Sequence, residues 1–327
     1  MTPHPPTLQP QSGAAEQALA RAEAATWKVR ELFAQGRFPE ALQTGELALQ
    51  AWRQAQRPDD ECELLVTLSL ALAEGDRHED AIRLAREAHA LVQAQGLDAR
   101  LPRVLALLGG LHGPLNEWAE GESLLLLALS LARDRHDTAT VAVALNGLLM
   151  HLLHAHEAQT AAGQQREAQA TAQRLLQHAR LSIRVAAEEP APFRRTVLRS
   201  NAAAALLVCQ LPEEGLPLLT AALRDAQTDG FRVVALRARS RLGHALVQLG
   251  QLEAARQEAA ALQTELDAED HALARMELLR LQARLALATG DALAAARLQD
   301  RHAVMQQPRD AQAPALHQAM AGFSPQT

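Results

Sequence analysis

The chain has 327 residues and a formal net charge of −6. Ala and Leu fill 69 and 58 of its positions, both strong helix formers, while the aromatics are five Phe, three Trp and no Tyr. That balance excludes a β-sandwich or barrel, which needs β-branched and aromatic residues. The 48% hydrophobic content excludes a disordered chain, and the lack of a basic surplus excludes a non-specific nucleic-acid binder. An all-α protein remains.

Taken in order, residues 1–13 hold Pro3, Pro5, Pro6 and Pro10 and read as a disordered tail. They have neither the basic nor the apolar region of a secretory leader. From residue 14 to 307, apolar runs at helical spacing alternate with stops. The stops are Gly36, Pro58, Gly75, Gly96, Gly113-Pro114, the break from Glu189-Pro190 to Pro192, Pro212, Gly230, Gly250 and Gly290. The runs between them read as helices joined by short turns. The polar stretch 157–166 reads as an insertion loop between the helical segments 139–156 and 167–187. The tail 308–327 carries Pro314 and Pro325 and has room for a short closing helix over Ala315–Ala321. The apolar stretch Leu124–Leu129 is too short to cross a bilayer, so the expectation is a cytoplasmic protein with no membrane contact. Cys62 and Cys209 read as small buried thiols in a reducing compartment.

The stops are periodic. Ala41, Ala81 and Gly121 stand 40 residues apart, and so do Gly215, Ala255 and Ala295. One further unit, out of phase and carrying the insertion, has its small residue near Ala172, which makes seven helix pairs. Twelve residues before the small residue comes Ser69, Gly109 or Gly243; seven after it comes Ala48, Ala88, Ala128 or Ala222. Small residues at facing positions let antiparallel helices approach closely, and Leu105/Leu108 or Leu246/Leu249 fill the seam. The six small residues are expected to be buried, and Ala168 to be exposed.

This grammar resembles the tetratricopeptide repeat (TPR) family. The matching residues are Leu105…Leu108-Gly109…Trp118…Gly121…Ala128, Leu242-Gly243…Gly250…Leu252…Ala255, and Gly36-Arg37-Phe38-Pro39-Glu40-Ala41…Ala48. The period is 40 rather than the family's roughly 34 residues, and the longer repeat is similar to those of regulatory halves of bacterial signalling proteins. The resemblance implies an α-solenoid of about seven antiparallel helix pairs, a TPR-like right-handed superhelix.

Signatures of catalysis are missing: there is no G-x-S-x-G, P-loop or G-x-G-x-x-G. Gly109-Gly110 ends a helix instead of following a strand. Acidic pairs such as Glu213-Glu214 sit at helix starts, where they oppose the positive end of the helix. His151, His154 and His156, with Glu157 after them, form the densest histidine cluster, but a metal site needs more ligands than this spacing supplies. They read better as histidines near a helix C-terminus. No cofactor is expected, and no enzyme activity.

Arginines carry more. Arg194, Arg195 and Arg199, then Arg237, Arg239 and Arg241 ahead of His244, then Arg280 and Arg284, fall on first helices of the fifth to seventh units. In stacked helix pairs those helices line the concave face. Some TPR domains hold a partner's terminal carboxylate between an Asn on one first helix and two basic residues on the next. The likeness here implies Asn201 with Arg237 and Arg241, although the preceding unit offers only Asn146 and no Lys. The binding set is then Asn146, Asn201, Arg237, Arg241, His244 and Arg284. The function expected is a non-catalytic scaffold that binds a protein or peptide partner, an acidic or C-terminal segment, in its groove. A ligand- or peptide-responsive regulatory module, its output domain separate or lost, is the alternative. An RNA-reading array is disfavoured because its groove would be basic.

Overall fold

The computed structural model describes residues 11–268 and 271–321, and among these there are helices and turns but no strand. Fifteen α-helices follow one another: α1 Gln11–Ala34, α2 Phe38–Gln54, α3 Pro58–Glu74, α4 His78–Gln95, α5 Leu101–Leu111, α6 Trp118–Asp134, α7 Thr138–Ala161, α8 Gln165–Glu188, α9 Pro192–Val208, α10 Pro212–Thr228, α11 Arg232–Gln248, α12 Leu252–Ala268, α13 Ala272–Ala288, α14 Ala292–Asp310 and α15 Ala313–Met320. Single 3-10 turns stand at Asp98–Arg100 and Gly113–Leu115. Residues 1–10, with the prolines of the expected tail, and 322–327 lie outside the described residues. Gln11–Gly13 already belong to α1.

The origin of the 40-residue period lies in the turns. A left-handed residue recurs every 20 positions, at Gly36, Gln56, Asp76, Gly96, Asn116 and His136 and again at Gln210, Gly230 and Gly250, and Gly290 follows two such steps later. Most helices between these points have 17 residues. Seventeen helical residues and a three-residue turn make half a repeat. At each turn the chain hydrogen-bonds back five residues, as in Arg37 N–H to Leu32 O (2.9 Å), Arg77 N–H to Leu72 O (2.9 Å) and Gln251 N–H to Leu246 O (2.9 Å). That is the Schellman closure, which satisfies otherwise orphaned carbonyls and requires one left-handed residue. The expectation of a strict Gly or Pro stop was too narrow, since Asn, Asp, Gln and His fill the position as well.

The fourth unit departs from the expected loop. Residues 157–161 continue α7, the turn is confined to Ala162–Gln164, and α8 begins at Gln165. Both helices have 24 residues, so the departure is seven extra residues in each, not a loop. The small residue of this unit is correspondingly Ala168, not a residue near Ala172. The Ala168 amide closes on Gln164 O at 2.9 Å, as Ala255 closes on Gln251 O at 3.0 Å. Ala168 is therefore buried, not exposed; counting from a loop instead of a helix start placed it one turn out.

The chain forms two compact units. One comprises the described residues up to Phe33 with Arg37–Arg100; the other comprises Ala34–Gly36 and the described residues from Leu101 onward. In the first unit α3 packs on α2 and α4. Trp52 is buried there and donates from Nε1 to Thr26 Oγ1 at 2.9 Å. Buried Glu63 is held by Arg30 (3.2 Å) and Arg100 (2.9 Å).

The second unit is an α-solenoid of TPR-like helix pairs: α5/α6, α7/α8, α9/α10, α11/α12 and α13/α14. The first helices α5, α7, α9, α11 and α13 also touch in series, and α6, α8, α10 and α12 each pack against their own first helix and the next one. One layer of the unit is thus built only from first helices. All six small residues of the 40-residue register are buried. Gly109 and Gly121 bring α5 and α6 together so closely that a Cβ on Gly121 would lie 2.8 Å from Gly109 O and 2.4 Å from His151 Cε1. Ser69 spends its hydroxyl on the same crossing in the first unit, donating to Ala81 O at 2.7 Å. Gly243 has a different job: a Cβ there would meet Leu281 of α13 at 2.4 Å, so it sets the spacing between pairs. Gly121→Ala is expected to cost about 1–3 kcal/mol through overpacking against backbone, read as a lower melting temperature. An unchanged melt would mean that the helices are free to part.

By length and apolar composition alone α7 could cross a membrane. Its apolarity has a local cause, because α7 packs against α5, α6, α8 and α9. The closing helix expected over Ala315–Ala321 is α15, slightly earlier, which buries Leu316 and Met320 and seats against the turn Gly113–Leu115. Cys62 is buried and outside any disulfide; Cys209 is half-buried and donates to Ala172 O at 3.2 Å.

Candidate functional site

Arginine placement sorts into two groups. Arg194 and Arg195 bind Glu189 at its carboxylate (2.9 Å) and carbonyl (3.2 Å); Arg199 pairs with Asp225 at 2.6 Å, and Arg239 with Glu258 at 2.7 Å and Glu265 at 3.0 Å. These four knit helices together. Arg237 and Arg241 on α11 and Arg280 and Arg284 on α13 form the second group, with Arg237, Arg241 and His244 at i, i+4 and i+7 on one face of α11.

Around them the six residues singled out from sequence fall as follows. Asn201, buried on α9, donates from Nδ2 to Asn146 Oδ1 on α7 at 2.5 Å. Arg241 donates to Asn201 Oδ1 at 2.5 Å and to Ser200 Oγ at 2.9 Å, and its other nitrogen lies 3.8 Å from Met150 Sδ. Asn146, Asn201 and Arg241 therefore form one chain across α7, α9 and α11. The acceptors named for the guanidinium are neutral and fix its orientation, while its charge acts on the Glu277 carboxylate. Arg237 acts electrostatically on Glu277 and His154. Arg284 is exposed, and its charge reaches His244.

Glu277 was missed from sequence, although it stands one 40-residue period after Arg237 on α13. The positive charges of Arg280, Arg241 and Arg237 counter its desolvation and hold its carboxyl below the usual range. Met150 and His154 were missed as neighbours because the seven-residue extension moves α7 out of the simple period with the later units.

Histidines of this face are kept neutral. Desolvation, then the charge of Arg284, pushes His244 down to about 4, and its Nδ1 is buried without a hydrogen-bond partner among the described residues. His154 is open to solvent at its edge, yet the helices around it exclude much water; that desolvation and Arg280 lower it to about 4. His151 belongs elsewhere. It is buried in the α6–α7 seam, bonds Trp118 O through Nε2 at 2.8 Å and packs edge-on to the Trp118 ring at 5.3 Å. The three histidines do not stand at a helix end, since α7 runs on to Ala161. Among the described residues no group of three or more His, Cys, Asp or Glu could hold a metal.

A histidine whose folded value lies below its unfolded one leaves the unfolded chain to take up the proton first as pH falls. Stability contributed this way is present above about pH 6.5 and is lost towards 4. Ring proton resonances of His154 and His244 are expected to titrate near pH 4, with the melting temperature falling over the same window. Titration of both near 6.5 would show that the face is open to bulk water.

No protein-family model matches the chain, and no curated protein matches it. Among solved structures it is similar to a Signal Transduction ATPase with Numerous Domains (STAND) protein with a tetratricopeptide repeat sensor from Pyrococcus horikoshii. The identity is 16% and the TM-score 0.47, covering 88% of this chain and 42% of that one. The chain thus spans less than half the length of that protein.

Proposed function

We propose that the chain is a regulatory protein-interaction module whose layer of first helices binds an acidic, carboxylate-bearing segment of a partner. The observation that carries this reading is Arg241, held by Ser200 and Asn201 in a row that also contains Arg237, His244 and Arg284. A planar guanidinium with a fixed orientation meets a carboxylate through two parallel hydrogen bonds. Four arginines gather on this face of a chain whose net charge is −6, so an acidic segment is drawn here rather than elsewhere. Asn146 and Asn201 supply amides that suit the backbone of an extended segment. Nothing in the arrangement positions a nucleophile beside a base, and the reading is one of binding without chemistry.

The test is fluorescence polarisation with labelled octapeptides ending in acidic residues, each compared with its C-terminal amide. Free carboxylates are expected to bind more tightly and to weaken as salt rises, because an open face is only partly shielded. Equal binding of acid and amide at every salt concentration would overturn the terminal-carboxylate reading.

A further inference from the structure

We infer that Arg280 is a second carboxylate position on the same face, filled in this structure by the chain's own Glu157, and that an acidic side chain of a bound segment takes Glu157's place. This rests on the reading of the face as a site for acidic segments. The Arg280 guanidinium meets Glu157 fork to fork, Nη1 to Oε2 at 3.1 Å and Nη2 to Oε1 at 2.7 Å. Its remaining nitrogen, Nε, donates to His302 Nε2 at 2.8 Å, which fixes the plane of the fork. A built bidentate carboxylate site is therefore already on display, with a tethered occupant.

The tether is unusual. Glu157 lies 123 residues from Arg280 and stands in the last turns of α7, the helix that exceeds its 17-residue counterparts by seven. Without those turns α7 would end before position 157, and Arg280 would keep Glu277, 3.8 Å away, as its carboxylate neighbour among the described residues. Both partners of the pair are substantially solvent-exposed, 34% and 51% at the side chain. Such a pair contributes little to stability, so an incoming carboxylate that offers the same two bonds replaces it at small cost. The two positions adjoin, because His244 and Glu277 each feel both Arg241 and Arg280. A segment with an acidic side chain and a terminal carboxylate fits both at once.

Fluorescein-labelled hexaglutamate with a free C-terminus, titrated by polarisation into the full chain, tests this. Glu157→Gln removes the tethered competitor and is expected to tighten binding about three- to tenfold. Arg280→Gln is expected to weaken it at least as much, and the double variant to show no gain over Arg280→Gln. Hydrogen exchange at residues 155–161 is expected to quicken in Glu157→Gln, a readout independent of any ligand; circular dichroism and thermal melts verify the fold. Binding that depends on Arg241 but ignores Glu157→Gln and Arg280→Gln overturns the second position and leaves the first reading standing. Binding that depends on Glu157 and Arg280 but ignores Arg241→Ala and C-terminal amidation supports the second position and removes the first. Absence of binding in every variant overturns both.

Discussion

Ala255→Arg is expected to cost about 4 kcal/mol or more, among the largest effects a single substitution produces. Ala255 is fully buried in α12, inside a cluster with Ala245, Leu246 and Leu262. Its place in the 40-residue register makes it the contact at which α12 closes on α11. An arginine there meets packed aliphatic side chains and carries a charge that no carboxylate in that cluster offsets. Repeat stability is a sum over units and their interfaces, so the loss spreads to both neighbouring pairs. Ala170→Arg is the control: Ala170 lies exposed on α8, and the change should stay within about 0.5 kcal/mol. Melting curves for the two variants check the comparison. Equal melts would mean that the small residues of the period do not mark the seams.

Arg241→Ala carries the second large effect. Each charge-assisted hydrogen bond to a carboxylate is worth about 1.5–3 kcal/mol, so binding of an acidic octapeptide should weaken roughly ten- to a hundredfold. The same change strips the donor from Ser200 Oγ and Asn201 Oδ1, both on buried residues, which costs stability by about 1–3 kcal/mol. Arg241→Lys separates the two roles. It keeps the charge and loses the fork, so its affinity should fall between those of wild type and Arg241→Ala. Polarisation titrations at a temperature where melts show all three proteins folded provide the measurement. Affinity equal in all three would assign Arg241 to holding α9 and α11 together and to nothing more.

Much of the fold was legible because its grammar is local. Alanine and leucine fix the helical class, and small residues at one spacing mark where helices cross, as at Gly109 with Gly121. The turns were read less well. His136 and Gln210 adopt the left-handed conformation at positions where sequence reasoning looks for Gly, since the Schellman hydrogen bonds repay the conformational cost. Polarity misled at 157–166, where Glu, Gln and Ala are as good in an exposed helix as in a loop. That one misreading displaced the register of the fourth unit and hid Ala168. On the candidate site, period arithmetic separates Arg237 from Arg239, because positions two apart on a helix point to different sides. It does not deliver His302 or Glu157, whose meeting with Arg280 depends on tertiary packing.

The lengthening of α7 and α8 has a consequence for how such a chain can vary. Seven residues rotate a helix by almost two complete circles, leaving a phase error of only about 20°. Added to both members of a hairpin, they cancel at the next junction, and α9 begins on the heading it would have had anyway. The unit can therefore grow or shrink only in matched steps: a seven-residue deletion in one helix alone would keep the heading but leave about 10 Å of its partner unpaired and displace every later helix along the axis. Length in this array is a quantised and paired variable, so a seven-residue deletion from α7 is best rescued by an equal deletion from α8, not by any substitution.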